Sequence, residues 1–432
     1  MKSTLLLLAL LPATLLAQTT FNNSAQEEIF ANPNLSAHNH MAYIEPTQAL
    51  TPTPKGYEAF YLSNYARHGS RWLIGKGDYD NAYNKLTKAA AYGKLTPEGQ
   101  EVLRRVERIR RTSTQRLGDL TTVGERQHHG IGKRMANNFP EIFKAPNTYI
   151  DARSTVVRRC ILSMVAECLE LAQANPKATF HNDTSDSLQY YLNKPHRAKP
   201  NPMRHALDSV VQSFYPKCYK PERLMEYLFN DQQFVKDSLG SRKTLMDELY
   251  TIARNMQSHD IDNDLYYIFT KQELYDMWRY ENIYWYAINA HCPQNPLAAF
   301  SQDNLLNNIL CTADTIVCKQ GFYGATLRFG HDSCVYPLAA LLELGEAGVR
   351  VDMNDFDNLE NYCRDYNIVS MASNIQIVFY RAKKGNAPIL LKVLLNEREV
   401  PVANLPTDNY PYYKWDDFKQ YFRNKLAAYE AM

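Results

Sequence analysis

Five consecutive residues, Arg67-His68-Gly69-Ser70-Arg71, set one imidazole between two guanidinium groups. Guanidinium presents paired N–H donors that match phosphate oxygens, and a neutral imidazole can act as a nucleophile. This is a poor setting for a structural histidine and a good one for a phosphoryl group. A phosphomonoester is dianionic and repels nucleophiles. Arginines neutralise that charge and hold phosphorus in line with the ring. Each charged hydrogen bond contributes roughly 1.5–3 kcal/mol, and several together accelerate a reaction through positioning and electrostatics. On this reading His68 is the nucleophile, Arg67 and Arg71 bind phosphate, a phosphohistidine forms, and neither metal nor cofactor is required.

Such chemistry needs a proton donor for the departing alkoxide. Residues 325–332 read Ala-Thr-Leu-Arg-Phe-Gly-His331-Asp332, and an apolar run follows. Asp332 is the expected general acid and His331 a further phosphate donor. A bound dianion would raise the acid's pKa and favour its protonated form. A second pair, His259-Asp260, sits in a polar helix-like region with no preceding strand, so the pair at 331 is preferred. A third arginine is expected from Asp151-Ala-Arg153-Ser-Thr-Val-Val-Arg158-Arg159. Arg153 would stand at a strand exit and is the first choice. Arg159, a turn or two into the next helix, is the second, and Arg158 reads as a surface charge. Lys76 could meet further phosphates, although a lone lysine after the motif is usually solvated.

These residues require elements that position them. Tyr57 to Ala66 reads as a buried strand, with a tight turn at Gly69 and a helix starting after it. Thr96-Pro97-Glu98 signals a helix start, with Val102, Val106 and Ile109 on one face. A strand at 148–150 precedes a helix from Val156 to Ala172, and strand patterns return at Ala325–Phe329, Ile375–Tyr380 and Ile389–Leu395. This alternation predicts an α/β fold with a doubly wound sheet domain, whose ligand sits at the carboxyl ends of strands. Residues 185–300 carry helical spacing and few strand signals, with a linker-like Pro195–Pro202 stretch. They read as a second, mostly helical cap domain inserted into the sheet domain, which takes residues 18–184 and 301–432. Residues 18–55 read as an extended N-terminal arm.

The 432 residues include 48 Lys+Arg and 46 Asp+Glu, a formal net charge of +2. So even a balance provides no whole-protein field for nucleic acid or an anionic membrane, and an anionic ligand must be held by a local cluster. Residues 1–17, a lysine and then an apolar run too short to span a bilayer, read as a signal peptide. No later stretch reads as a membrane anchor, so an exported protein, periplasmic or secreted, is expected. The 8 cysteines would permit disulfides in that compartment, with free buried thiols as the alternative. Cys160 and Cys168 share one helix, about 12 Å apart, and cannot bridge each other.

The motifs and their order resemble the histidine acid phosphatase branch of the histidine phosphatase superfamily, multiple inositol polyphosphate phosphatases and phytases in particular. Arg67 to Arg71 is similar to the opening RHGxRxP motif, with Leu73 in place of its proline. Leu120-Thr121-x-x-Gly124-x-x-Gln127, with Ile131-Gly132 after it, resembles LTxxGxxQxxxLG. Arg153-Ser154-Thr155, Arg159 and Ser163 resemble RSTxxxRxxxS. Segments 326–332 and 371–380 resemble the closing segments. His331-Asp332 stands where the inositol polyphosphate branch usually has His-Ala-Glu, which leans toward the phytase and acid phosphatase pattern. The resemblance implies a two-domain fold with the site in the cleft. It implies His68 as nucleophile, Arg67, Arg71, Arg153 and His331 as phosphate ligands, and Asp332 as proton donor. The expected partner is a small phosphomonoester: inositol polyphosphates first, sugar phosphates and other esters for a broad acid phosphatase second. Activity is expected at acidic to neutral pH.

Two other functional classes fit the residues less well. His38-Asn-His40, His128-His129 and Asp260-x-Asp262-x-Asp264 contain metal-ligand types, yet none has the spacing of a metal site, and Leu265 stands where a calcium loop needs glycine. A non-catalytic phosphate binder would use the arginines but would need neither His68 nor Asp332.

Overall fold

A computed structural model describes residues 21–193, 201–261 and 264–431. The proposed leader at 1–17, most of the 195–202 linker and Asp262 lie outside them. The strand expected at 57–66 is β1 (Tyr57–Arg67), buried continuously from Ala59 onward, the pattern of a strand covered on both faces. The others are β2 (Thr148–Ser154), β3 (Thr179–Asp183), β4 (Tyr323–Gly330), β5 (Asn374–Ala382), β6 (Leu390–Leu395), β7 (Arg398–Glu399) and β8 (Tyr413–Lys414). They form one sheet in the order β3-β2-β4-β1-β5-β6-β7, with β8 beside β6. The pairs β3-β2, β2-β4 and β4-β1 are parallel. From β5 onward the pairing is antiparallel. The short β3 was not anticipated, because its residues are mostly exposed and polar.

The helices are α1 (Ala25–Ala31), α2 (Gly77–Ala91), α3 (Pro97–Thr112), α4 (Thr122–Asn138), α5 (Pro140–Phe143), α6 (Arg158–Ala174), α7 (Gln189–Leu192) and α8 (Arg204–Cys218). They continue with α9 (Glu222–Leu228), α10 (Gln232–Ser238), α11 (Arg242–Asn255), α12 (Lys271–Asn289), α13 (Asp303–Val317), α14 (Asp332–Leu341) and α15 (Trp415–Ala431). Both faces of β1 are covered, as a doubly wound sheet requires. Ala59, Leu62 and Ala66 pack with Ile131 and Met135 of α4 and Met164 of α6. Tyr61 and Tyr65 belong to the larger core on the other face, with α13, α14 and α15. Among the described residues no strand occurs between β3 and β4. In addition, α2 packs on α11 and α3 on α9, so helices that precede the inserted stretch share its core.

Several local expectations change. No helix follows Gly69 directly; an irregular loop runs to the start of α2 at Gly77. The N-terminal arm is not extended. Ser24 and Glu27 form a reciprocal capping box that starts α1, and Asn32 caps a 3-10 segment, Pro33–His40. Ser24-x-x-Glu27 is a readable helix signal that the polar composition masked. All 8 cysteines are free thiols, six of them buried, the second of the two alternatives the composition allowed. Among the described residues no helix is long and apolar enough to cross a membrane.

Candidate active site

The site begins with strand adjacency. β1 and β4 run parallel with Arg67 opposite Gly330, so residues 68 and 331–332 leave the sheet side by side. Ser154, at the end of β2, lies opposite Phe329 on the other flank of β4. This is the carboxyl edge where open α/β sheets bind ligands.

The loop after β1 is fixed by the other motif segments. Gly69 has no positive φ, so it is not there to permit a turn. A Cβ on it would lie 2.3 Å from the Gly124 carbonyl oxygen, and one on Gly124 would lie 2.2 Å from that of Ser70. The two glycines let the loop touch the start of α4. Gln127 Oε1 accepts from the Ser70 N–H at 2.8 Å, and its Nε2 donates to Ser70 Oγ at 3.0 Å. Thr121 Oγ1 donates to the Ser70 carbonyl at 3.0 Å, and Ser163 Oγ accepts from the Gly69 N–H at 3.1 Å. The Leu73 N–H donates to Tyr79 OH at 2.9 Å, a bond that proline at this position could not make.

His68 is buried, with its Nδ1 2.9 Å from the Gly69 carbonyl oxygen. A carbonyl only accepts, so Nδ1 carries the hydrogen and the lone pair of the neutral ring is on Nε2. Burial, then Arg67, Arg159, Arg71 and His331, hold the His68 pKa well below the ordinary value, which favours the neutral ring. The His331 ring stands edge-on to it, centroids 5.7 Å apart. Burial and Arg159 lower His331 to about 4. Its Nε2 is 3.4 Å from Thr155 Oγ1.

Asp332 opens α14, and its Oδ2 is 2.8 Å from Arg67 Nη2. Burial alone would raise its pKa. Arg67 first, then Arg71 and His331, bring it down to about 2. Arg67, Arg71 and Arg159 thus face a single carboxylate. Arg71 is pulled down to about 9 by burial and by Arg67. Among the described residues, the buried Nε atoms of Arg67, Arg71 and Arg159 find no hydrogen-bond partner. Buried cationic donors without partners are costly, and an anion carrying several oxygens would satisfy them.

The structure brings together His68, Arg67, Arg71, His331, Asp332 and Arg159, the second choice for the third arginine. It does not bring in Arg153, the first choice. Arg153 pairs with Asp151 at 2.7 Å and donates to Tyr191 OH at 3.0 Å. Side chains two apart share one strand face, and Asp151 therefore claims Arg153. Lys76 is exposed, 3.7 Å from Asp80. Arg153→Ala is expected to leave kcat/KM for a phosphate ester within about threefold, while Arg159→Ala costs roughly 10–100-fold, the value of a charged hydrogen bond. Steady-state kinetics of both variants checks this.

The remaining histidine and aspartate clusters have other partners. His128 lies 3.0 Å from Glu167 and 3.1 Å from the Arg67 carbonyl oxygen. His259 stacks on Trp72 at 4.0 Å, and Asp260 pairs with Arg126. Two residues near the site were missed. His40 is buried, its pKa held well down by burial and by Arg254, Arg71 and Arg67. Asn39 donates to Asp332 Oδ2 at 2.9 Å. No local spacing could have found them, since the first strand starts well after both.

No family model and no curated protein sequence matches the chain. Solved structures do. A multiple inositol polyphosphate phosphatase of Bifidobacterium longum, in complex with inositol hexasulfate, superposes with a TM-score of 0.73 at 18% identity, covering 90% of this chain and 97% of that one. The phosphate complex of the same enzyme gives 0.71 at 18%, covering 91% and 98%. The phytase from D. castellii gives 0.69 at 14%, covering 91% and 86%. The chain has the fold of these inositol polyphosphate phosphatases and phytases, the fold that the histidine acid phosphatase resemblance implied.

Proposed function

We propose that the chain is a phosphomonoester hydrolase that works through a phosphohistidine and acts on inositol polyphosphates of the phytate type. One observation carries the reading. A buried imidazole with its lone pair on Nε2 shares a pocket with three guanidinium groups whose Nε donors are unpartnered, and a carboxyl group stands at the next strand end. A phosphate binder would need the cations alone. The fold likeness to enzymes named for inositol polyphosphates, one of them holding inositol hexasulfate, supports the substrate class.

Arg67, Arg71, Arg159 and His331 take the oxygens of the phosphoryl group. His68 Nε2 attacks phosphorus, the P–O ester bond breaks, and its electron pair leaves on the alcohol oxygen. Asp332 gives that oxygen a proton. The ionised Asp332 then takes a proton from water as the water oxygen attacks phosphorus. The P–N bond breaks and His68 returns to its neutral form. The dianion offsets the positive field that holds Asp332 ionised, so binding raises its pKa toward the protonated form.

The test is phosphate release from phytate by the purified protein, with an acid-labile, alkali-stable phosphoryl label trapped on His68 during turnover. Release without such a label overturns the phosphohistidine. No release from phytate, with turnover of simple esters, overturns the substrate class.

A further inference from the structure

The proposed reaction asks Asp332 to give one proton and take another, and a residue from the N-terminal arm meets its carboxylate. Asn39 Nδ2 donates to Oδ2 at 2.9 Å, and Arg67 Nη2 lies 2.8 Å from the same oxygen. Oδ1 receives the Ser333 backbone N–H at 2.8 Å. The Asn39 carbonyl also accepts from Arg67 Nη1. One residue therefore touches both the acid and a phosphate-binding arginine.

The 3-10 segment Pro33–His40 is built to deliver it. Residues Ser36 to His40 are all buried. His38 adopts φ 54°, ψ −133°, a backbone conformation a non-glycine residue keeps only when its surroundings impose it. Those surroundings are specific. His38 Nδ1 makes a fully buried hydrogen bond with the Asp365 carboxyl group, and Asp365 is itself held by Trp278 Nε1 at 2.8 Å and by Asn282. Tyr250 OH bonds the Ser36 carbonyl, and the Met371 N–H bonds the Met41 carbonyl at 2.8 Å. The segment is thus tied to α11 and α12 on one side and to the loop before β5 on the other. The buried His38–Asp365 contact takes no part in the reaction steps. Its effect is to fix the turn that presents Asn39.

We propose that Asn39 is a positioning residue for proton transfer: its side-chain amide commits Oδ2 of Asp332, so that Oδ1 carries the transferable proton. The inference rests on the phosphatase reading above. Oδ2 accepts the Asn39 amide and lies against the Arg67 cation, whereas Oδ1 receives only a backbone N–H, so a proton added to the carboxyl group goes to Oδ1. In the first half-reaction the Oδ1–H bond breaks, the proton passes to the ester oxygen and the electron pair stays on Oδ1. In the second, Oδ1 takes the proton of the attacking water. The charged or titratable groups facing the carboxylate are Arg67 of β1, Arg71 of the loop after it, Arg159 of α6, the adjoining His331 and the buried thiols of Cys160 and Cys334. Asn39 supplies the neutral side-chain donor among them.

The experiment is a double-mutant cycle read on two esters, an alkyl phosphate with a poor leaving group and 4-nitrophenyl phosphate. Asn39→Ala is expected to lower kcat/KM for the alkyl ester at least about tenfold more than for the nitrophenyl ester, whose leaving group needs little protonation. In an Asp332→Asn background the same substitution is expected to change that ratio less than about twofold, because the group it acts through is gone. Asn39→Leu keeps the side chain's bulk and removes the donor without adding a charge, so it gives the same pattern if the alanine variant fails to fold. Equal losses on both esters, or losses that multiply with Asp332→Asn, overturn the inference and assign Asn39 a merely structural role. Absence of turnover of either ester by the unaltered protein overturns the phosphatase reading and this inference with it.

Discussion

His68→Ala is expected to abolish phosphate release, lowering kcat/KM by on the order of 10⁴-fold or more for every phosphomonoester. The covalent route needs a lone pair at Nε2, and the alanine variant has no group to supply it. Water in the vacated space would be a far weaker nucleophile at phosphorus. The oxygen-binding groups are untouched: Arg67, Arg71 and Arg159 remain, and the loop is still held by Gln127, Thr121 and Ser163. Sulfate, a dianion with no hydrolysable bond, should therefore bind the variant within about tenfold of its original affinity, since the lost group is a neutral ring rather than a charged donor. The paired measurement is release of inorganic phosphate and protection against thermal unfolding by sulfate. Turnover above a few per cent would remove His68 from the nucleophile role. Loss of sulfate binding together with turnover would mean that the substitution had collapsed the loop.

Asp332→Asn is expected to slow alkyl phosphates by roughly 10²–10⁴-fold, the usual contribution of general acid catalysis, and nitrophenyl phosphate far less. The pH dependence follows from where the proton resides. In the free site the carboxyl pKa, below its ordinary value, is about 2, so Asp332 is ionised throughout mild acid. The reacting complex needs one proton shared between this carboxylate and the substrate. A phosphomonoester monoanion carries that proton only below its second pKa of about 6. For the unaltered protein kcat/KM for alkyl esters should thus fall about tenfold per pH unit above roughly pH 6. In Asp332→Asn this slope should flatten, because the amide cannot accept the proton. Profiles of kcat/KM against pH for both proteins check it. A slope unchanged by the substitution, or equal losses on the two classes of ester, would assign the proton to another group.

The cycle at Asn39 probes the same step from the other side. Asp332→Asn removes the acid, whereas Asn39→Ala leaves the acid in place and frees one of its oxygens. Together they separate the presence of a proton donor from its orientation.

The parts of the site legible in the sequence were those whose geometry is local. Arg67, His68 and Arg71 follow one strand without a break, and His331 and Asp332 follow another. A strand end places such neighbours at the carboxyl edge of the sheet, although the loop after β1 also needs Thr121, Gln127 and Ser163 to hold its shape. The glycine at 69 was legible as a requirement but not in its reason. It serves close contact with Gly124, more than fifty residues away, rather than a turn. The choice between Arg153 and Arg159 turned on which strand face Arg153 occupies and on its capture by Asp151. Asp-x-Arg spacing holds that information, because strand residues two apart are neighbours, but only once the strand's face is known.

The sequence by itself determined the alternation of strands and helices, the two polar turns that carry His68 and Asp332, and the excess of cationic donors around them. Hydrophobic periodicity and turn chemistry act over a few residues and can be read in one dimension. Only the tertiary structure decided that Arg159 rather than Arg153 joins the cluster, that the cysteines stay unpaired, and that Asn39 reaches the carboxylate of Asp332 from 293 positions away. Those outcomes depend on which surfaces the packed sheet and helices bring within a few ångströms, and spacing along the chain does not settle that by itself.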